Sequence, residues 1–287
     1  MAPRFTVIQG GLSDRPAPAH VPGLLPAERR AVWRVDLRKP AAVDAAAVTA
    51  WRALLVRNAV NDPLRDPDHL LPLAQHRPSG RRIAVALAWS RDAETGREAL
   101  RGVVPLAMPH PIWGVRARPW QPTEAEAAAL VESAAAEAVD RALRARLGAL
   151  RRPIRLAGPV EPSRRPDSLR PGPAAPRPVR PRPIPAGALV GVRPERWEPP
   201  AAEILAVTAP DAVRDAVETF LALDARTARR PIIADPAEAS LVRVVSRLFG
   251  RRGALRVEFV RRAGEVVAGT LHLGAGPASV PGRRARA

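Results

Sequence analysis

The C-terminal part of the chain places an acid and an imidazole in a segment whose sequence predicts a β-hairpin. Glu258 lies in the alternating run 255–262, and His272 lies in the second run, 265–273, after a tight turn. A two-residue turn would pair Glu258 with Gly269, which has no side chain and leaves open space above the carboxylate. We therefore predict that Glu258 is a general base or a substrate contact. The alternative is an ordinary charge pair with one of the many arginines.

The histidines give weaker indications of chemistry. With the register of a two-residue turn, Glu258 and His272 lie on opposite faces of the sheet, and only a β-bulge could bring them together. We therefore predict that His272 packs at the end of a strand. His69 and His76 do not have the spacing of a metal pair on one helical turn, and Pro72 lies between them. The chain has no cysteine, which excludes disulfides, thiolate metal sites and a cysteine nucleophile, and we expect no metal.

Composition limits the possible partners. The chain has 287 residues with a formal net charge of +18, which favours polyanions such as nucleic acid or acidic polysaccharide. We favour compositional bias over such a partner, because Lys39 is the only lysine and arginine, alanine and proline are all abundant. The sequence shows no signal peptide and no apolar run long enough for a membrane helix. The sequence therefore predicts a soluble, cytoplasmic protein without a membrane span.

The elements that position Glu258 precede it in the last third of the chain. Apolar residues from Val213 to Leu221 recur at helical spacing and predict one amphipathic helix. Asp235 is predicted to cap a second helix, which has a proline at its first position and a glutamate at its third. Gly250 is the predicted C-cap of that helix.

The first half of the chain repeats the mixture of helices and strands. A helix is predicted from Val43, and two apolar strands are predicted at 83–89 and 99–106. Thr123-Glu-Ala-Glu126 forms a capping box that predicts the start of another helix. The apolar row of this helix has a spacing of four residues and consists of Val131, Ala135, Val139, Leu143 and Leu147.

These segments carry a resemblance to a known family. Four parts of the sequence resemble GNAT-type N-acetyltransferases: the segment 217–224, the helix from Asp235, the hairpin with Gly264 at its turn and the motif Gly102-Val-Val-Pro-Leu106. The similarity is to the bacterial CelD-like and FemAB-like subgroup, whose FemAB-like members carry two GNAT-like halves. The resemblance implies an α/β (α+β) fold of GNAT-like mixed sheets with flanking helices. It also implies transfer of an acetyl or other acyl group from an acyl-CoA to a small-molecule or polymer amine.

The resemblance and the composition together divide the chain into five parts. We predict an irregular segment at 1–40, a first lobe at 41–157, an Arg/Pro-rich linker at 158–185, a partial second lobe at 186–273 and a disordered basic tail at 274–287. Within the first part, only the run from Ala31 to Leu37 is suited to a strand. The proline-rich stretch of the linker favours an extended polyproline conformation.

The resemblance also assigns roles to further residues. Asp224 and Arg226 follow the predicted helix at the place where the subgroup has a Gly-Trp-Lys element. By resemblance, this position implies that the two residues bind substrate. The tryptophan and the lysine of the element are lacking in this sequence. In the family the cofactor-binding strand and the pyrophosphate helix follow the hairpin. Here Gly274-Ala-Gly276 leads into a proline-containing tail that opposes a helix. We therefore expect a C-terminally truncated transferase. The alternatives are a non-catalytic polyanion-binding protein and an inactive remnant.

Overall fold

A computed structural model gives the fold of the chain. Several predictions lie outside the residues that the structure describes: the residues before Ala31, the capping box at 123–126 and the proline-rich segment. The described residues are 31–76, 82–110, 112, 114–122, 128–160, 203–276 and 279–286.

The first half of the described chain forms a six-stranded sheet with helices on both faces. Its elements are β1 (Ala31–Arg38), α1 (Ala45–Arg57), α2 (Pro67–His76), β2 (Arg82–Asp92), β3 (Glu98–Met108), β4 (Arg116–Pro119), β5 (Leu130–Val131), α3 (Ala136–Gly148) and β6 (Arg155–Leu156). The strand order is β1-β2-β3-β4-β6, with β5 paired to β3. All pairs are antiparallel except β4 and β6, which are parallel. We call these elements the first unit.

Alternation along the central strands explains why helices cover both faces of this sheet. Val85 and Leu87 of β2 pack in the core that contains Trp51 of α1, whereas Ala86 and Ala88 pack in the core that contains α3. The predictions of a helix after Val43 and of a central strand pair at 83–89 and 99–106 are therefore confirmed.

The helix predicted from the capping box begins later than expected. Leu130 and Val131 form the short strand β5, which pairs with Val103 and Gly102 of β3, and α3 starts only at Ala136. The prediction that Val131 belongs to the helix is wrong, because both side chains of β5 are buried in the sheet, one in each core. The rest of the predicted apolar row, from Ala135 to Leu147, is buried as expected.

Gly102 has a packing role in this arrangement. A Cβ atom at Gly102 would lie 2.9 Å from Val139 Cγ1, so the absence of a side chain lets α3 approach the middle of β3. This contact gives a physical reason for the glycine of the Gly102-Val-Val-Pro-Leu106 motif.

The last third forms a second, four-stranded antiparallel sheet that is covered on one face by two helices. Its elements are β7 (Glu203–Val207), α4 (Pro210–Thr227), α5 (Pro236–Arg251), β8 (Leu255–Arg262), β9 (Glu265–Leu273) and β10 (Val280–Arg286), with strand order β10-β9-β8-β7. Phe220 and Phe249 of the helices pack against Val257, Phe259 and Leu271 of the sheet. We call these elements the second unit.

The predicted N-cap of α5 is confirmed, whereas its predicted C-cap is wrong. The carboxylate of Asp235 accepts hydrogen bonds from the N–H groups of Ala237 and Glu238, as expected for an N-cap. Gly250 lies inside the helix, where it packs close to Val213. The chain leaves the helix through Gly253, whose positive φ of 65° suits a glycine.

The basic tail is not unstructured as predicted. Gly274 and Gly276 have positive φ angles of 95° and 59°, and after them the chain returns antiparallel to β9 as β10. Ala285 is buried in the core of the second unit. The prediction of disorder after Leu273 is therefore wrong for Val280–Arg286, because β10 satisfies the edge of β9 and buries apolar surface.

The two units share one plan. Each has a strand, two helices and then three strands, and the sheet orders β1-β2-β3-β4 and β7-β8-β9-β10 correspond strand by strand. Within the described residues the second unit has no counterpart of β5, α3 and β6. The predicted α+β class, with a mixed sheet and flanking helices, is confirmed.

An ionic cluster joins the two units where α2 packs against α5. Arg252, just after α5, donates from Nη1 to both carboxylate oxygens of Asp66 at 3.0 Å and to Asp68 at 2.7 Å. Asp68 also accepts a hydrogen bond from Arg52 at 2.7 Å. The carboxylates lie at the N-terminus of α2 and the guanidinium lies at the C-terminus of α5, so both helix dipoles favour the arrangement. We call this cluster the inter-unit clasp.

Candidate functional site

The hairpin of β8 and β9 has a different register from the one expected. Val267 is an extra residue that has no partner on β8, so a β-bulge lies between the turn and the rest of the hairpin. Beyond the bulge, Glu258 pairs with Thr270, and Phe259 pairs with Gly269. The predicted pairing of Glu258 with Gly269 is wrong by one residue.

The shifted register brings Glu258 and His272 onto the same face of the sheet. Because Arg256 pairs with His272, Glu258 lies diagonally across from the imidazole. Glu258 Oε2 and His272 Nε2 are 3.1 Å apart, and the side chains are 27% and 22% exposed. The bulge that would allow a direct acid–base pair is therefore present, and His272, which was predicted only to pack at the end of a strand, also contacts Glu258.

The other carboxylate oxygen of Glu258 is also engaged. Arg256, on the same strand, forms an ion pair with Oε1. The charge pair that was the alternative for Glu258 therefore exists, and it coexists with the histidine contact. All three side chains lie on the face opposite α4 and α5, because Leu255, Val257 and Phe259 occupy the face that packs against the helices.

Open space above Glu258 does not come from Gly269. A Cβ atom at Gly269 would lie 3.1 Å from Phe220 Cδ2 and 3.3 Å from the ring of Phe259, so this glycine faces the helices and the core. Glu258 is 27% exposed, and the helices α4 and α5 that contact β8 pack on the opposite face of the sheet.

Proton transfer is the chemistry that this pair can perform. When Nε2 of His272 donates its hydrogen to Glu258, Nδ1 carries the lone pair and can accept a proton. The carboxylate fixes this tautomer and stabilises the imidazolium that forms, as in other histidine–carboxylate pairs. Among the described residues, no hydrogen bond or ion pair engages Nδ1.

The two residues predicted to bind substrate lie elsewhere. Asp224 is only 5% exposed, and its Oδ2 accepts a hydrogen bond from the N–H of Ile232 at 2.6 Å. Asp224 therefore holds the connection between α4 and α5, and we assign it no substrate contact. Arg226 is exposed in the last turn of α4, and its role stays a prediction. Since α4 covers the opposite face of the sheet, Glu258 is not brought together with either residue.

The positions that the family would use for the pyrophosphate of CoA do not fit that group. After β9 the described chain continues as the strand β10 and forms no helix. In the first unit, α3 begins without a side-chain cap and has Glu137 in its first turn. Glu132, just before α3, is bound by Arg57 at 2.8 Å and Arg101 at 2.7 Å. This helix N-terminus has two carboxylates nearby and no glycine turn, and both features disfavour the binding of an anion such as pyrophosphate.

A second feature is a basic cleft of about 1380 Å³ at one edge of the first sheet. It is formed by the end of β1, the beginning of β2, the end of β3 and the connection between α3 and β6. Its charged lining consists of Arg38, Lys39, Arg82, Arg151 and Arg152. Sequence reasoning did not find this cleft, because its residues come from four separate segments and each basic residue is one among 46 in the chain. We call it the basic cleft.

The other histidines that the structure describes are not grouped into a metal site. Nδ1 of His69 lies 3.0 Å from the carbonyl oxygen of Leu64, in a buried position beside the inter-unit clasp. In the part of the chain that the structure describes, no group of three or more histidines and acids could hold a metal ion. No helix in that part is both long enough and apolar enough to span a bilayer.

Comparison of the chain with protein-family models, with curated proteins and with solved structures gives no match. The functional assignment therefore depends on the geometry described above and on the resemblance noted from the sequence.

Proposed function

We propose that the chain is an N-acyltransferase of the GNAT type, similar to the CelD-like and FemAB-like proteins, that transfers an acyl group from an acyl-CoA to an amine. The repeated plan of the two units carries this proposal, since each contains a strand, two helices and three antiparallel strands in the same sheet order. A duplicated GNAT-like scaffold is what the sequence resemblance implies. Neither the segment after β9 nor the N-terminus of α3 fits a pyrophosphate, so we assign no binding place to the pyrophosphate of the acyl-CoA.

The Glu258–His272 pair supplies the group that acyl transfer to an amine requires. An acceptor amine is protonated at neutral pH and must lose a proton before it can attack a carbonyl carbon. His272 Nδ1 takes this proton, and Glu258 stabilises the imidazolium through Nε2 at 3.1 Å. Arg256 forms an ion pair with the other carboxylate oxygen of Glu258 and orients the carboxylate.

The activity can be measured through release of the free thiol of CoA. Because the protein has no cysteine, a thiol reagent such as Ellman's reagent reports the product without background from the enzyme. We expect acetyl-CoA to raise the melting temperature of the chain at millimolar concentration and to be consumed in the presence of a suitable amine from a panel. The absence of any thermal shift at that concentration would count heavily against the proposal.

Two variants test the role of the pair. Glu258→Gln and His272→Asn are expected to lower the rate of acyl transfer by roughly 100-fold or more, the usual contribution of a general base. His76→Asn is the matched control, because His76 is a half-exposed histidine of α2 in the other unit. A rate in either variant equal to that of the control would show that the pair is not the proton acceptor.

Polyanion binding without catalysis is a second candidate. The observation that favours it is the set of exposed arginines near the helix ends of the second unit, which have no carboxylate partner among the described residues: Arg229, Arg230, Arg247 and Arg251. We expect the chain to bind single-stranded DNA or RNA at about 50 mM salt. We expect the affinity to fall by several orders of magnitude at about 200 mM salt. No retention at the lower salt concentration would eliminate this candidate.

A further inference from the structure

We propose that the basic cleft binds an aliphatic phosphate: a ligand with a phosphate group that contacts the cationic rim and a hydrocarbon body that lies on the cleft floor. This site belongs to the first unit and uses none of the residues assigned to acyl transfer. It therefore stands independently of the proposed function.

The rim of the cleft contains unpaired positive charge. Lys39, Arg82 and Arg151 are exposed, and within the described residues none of them has a hydrogen bond or ion pair from its side chain. Arg38 is different, because its Nη1 lies 2.5 Å from Asp44. No carboxylate is found among the described residues that line the cleft. Three like charges around one opening repel each other, and a bound anion relieves this repulsion.

The floor of the cleft is aliphatic. Half-buried apolar side chains from the strand ends and from the segment after α3 form it: Leu37, Ile83, Met108, Leu150 and Ile154. None of the described lining residues is a phenylalanine or a tryptophan, and the aromatic ring found among them is the imidazole of His110, an exposed residue that is not part of the floor. An aliphatic chain matches this floor better than a nucleotide does.

The size of the cleft also disfavours a bare anion. Its volume of about 1380 Å³ lies above the range of roughly 300–1,000 Å³ that is typical of small-molecule sites. Inorganic phosphate would contact the rim and leave the apolar floor hydrated. A hydrocarbon body covers that floor and adds the favourable free energy of apolar burial.

The test is isothermal titration calorimetry of the full chain with decyl phosphate below its micelle concentration. Inorganic phosphate and decyltrimethylammonium are the comparison ligands. We expect decyl phosphate to bind at least tenfold more tightly than inorganic phosphate, since the burial of two methylene groups suffices for that ratio. The cationic amphiphile is expected not to bind. Equal affinities of decyl phosphate and inorganic phosphate, or binding of the cationic amphiphile, would overturn the proposal.

Charge-reversal variants locate the binding. The double variant Lys39→Glu/Arg82→Glu is expected to weaken the binding of decyl phosphate by at least tenfold. The control is Arg97→Glu, because Arg97 is an exposed arginine at the other end of the β2–β3 hairpin. If the double variant proves unfolded by circular dichroism, Arg151→Glu tests the opposite wall of the cleft. An affinity unchanged from that of the control in the folded variant would overturn the proposal.

A vesicle experiment distinguishes the source of the ligand. Phosphatidylcholine vesicles with and without phosphatidic acid are sedimented with the wild-type chain and with the double variant. Binding that requires phosphatidic acid and is lost in the double variant identifies a bilayer lipid as the ligand. Binding of monomeric decyl phosphate without vesicle binding identifies a soluble aliphatic phosphate. Displacement of decyl phosphate by a lower concentration of oligothymidine would overturn the proposal in favour of nucleic acid.

Discussion

Removal of Arg252 tests whether the inter-unit clasp stabilises the fold and couples the two units. The guanidinium faces two carboxylates that are only 10% and 11% exposed, whereas Arg252 itself is 36% exposed. Burial lowers the pKa of Arg252, but the hydrogen bonds and charges of Asp68 and Asp66 outweigh this effect and raise the pKa above its ordinary value. The group is therefore charged throughout the accessible pH range.

The size of the effect follows from what Arg252→Ala leaves behind. Removal of one partner from a buried ion pair costs about 3–5 kcal/mol, because the remaining charge stays desolvated. Here Arg52 still neutralises Asp68, and solvent screens a guanidinium that is one-third exposed. We therefore expect a loss of about 2 kcal/mol in the free energy of unfolding. With a urea m-value of about 2 kcal/mol/M, the midpoint falls by roughly 1 M.

The assay uses two spectroscopic probes in urea unfolding. Trp33, Trp51, Trp89 and Trp120 all lie in the first unit, and the described part of the second unit contains no tryptophan. Tryptophan fluorescence therefore reports mainly on the first unit, whereas far-ultraviolet circular dichroism reports on both. We expect the two midpoints to coincide in the wild-type chain and to separate in Arg252→Ala, because the clasp joins the units.

The matched control for Arg252→Ala is the neighbouring residue. Arg251 is exposed in the last turn of α5 and has no ion pair within the described residues. Arg251→Ala is expected to change stability by less than about 0.5 kcal/mol. A double-mutant cycle of Arg252→Ala with Asp66→Asn then isolates the pairwise term. The reasoning is refuted if Arg252→Ala is as stable as Arg251→Ala and its two probes still coincide.

Three further changes test the local physics of the fold. Hydrogen bonds from Arg243 lower the pKa of Glu218 below 4.5, so this pair stabilises the protein above that pH and loses its effect as pH falls through the folded-state pKa. Glu218→Gln should cost about 0.5 kcal/mol in urea unfolding at pH 7 and less as pH falls through the folded-state pKa, and a cost that does not change with pH would contradict the pair. Asp235→Ala should cost about 1 kcal/mol through loss of the α5 cap, while Asp235→Asn should be nearly neutral, and equal losses in both would argue against capping. Gly102→Ala should lower the free energy of unfolding by about 1–3 kcal/mol, because the new Cβ atom would clash with α3. At Gly148 a new Cβ atom would meet no other atom within 4 Å, so Gly148→Ala should raise the free energy of unfolding by about 0.5–1 kcal/mol. Thermal melts that ranked these two glycine variants in the reverse order would refute the packing argument.

Part of the candidate site could be predicted from the sequence. Glu258 was predicted as a general base or substrate contact, and the need for a bulge to join it to His272 followed from the two-residue period of a strand. That a bulge would occur at Val267 could not be predicted. A bulge depends on how the whole sheet packs on α4 and α5, and no local signal distinguishes 266–268 from a regular strand.

Elements with local signals could be predicted from the amino-acid sequence. The periods of apolar residues and the cap at Asp235 are properties of neighbours along the chain, so the existence and type of α1, α4, α5 and the two long hairpins were predicted correctly, although the register of β8 and β9 was not. Leu130–Val131 and Val280–Arg286 became strands only because distant strands offered unpaired edges and an apolar surface. Three features could not be predicted in this way: the contact between Glu258 and His272, the inter-unit clasp and the basic cleft. Each joins segments whose approach depends on the packing of complete sheets and helices.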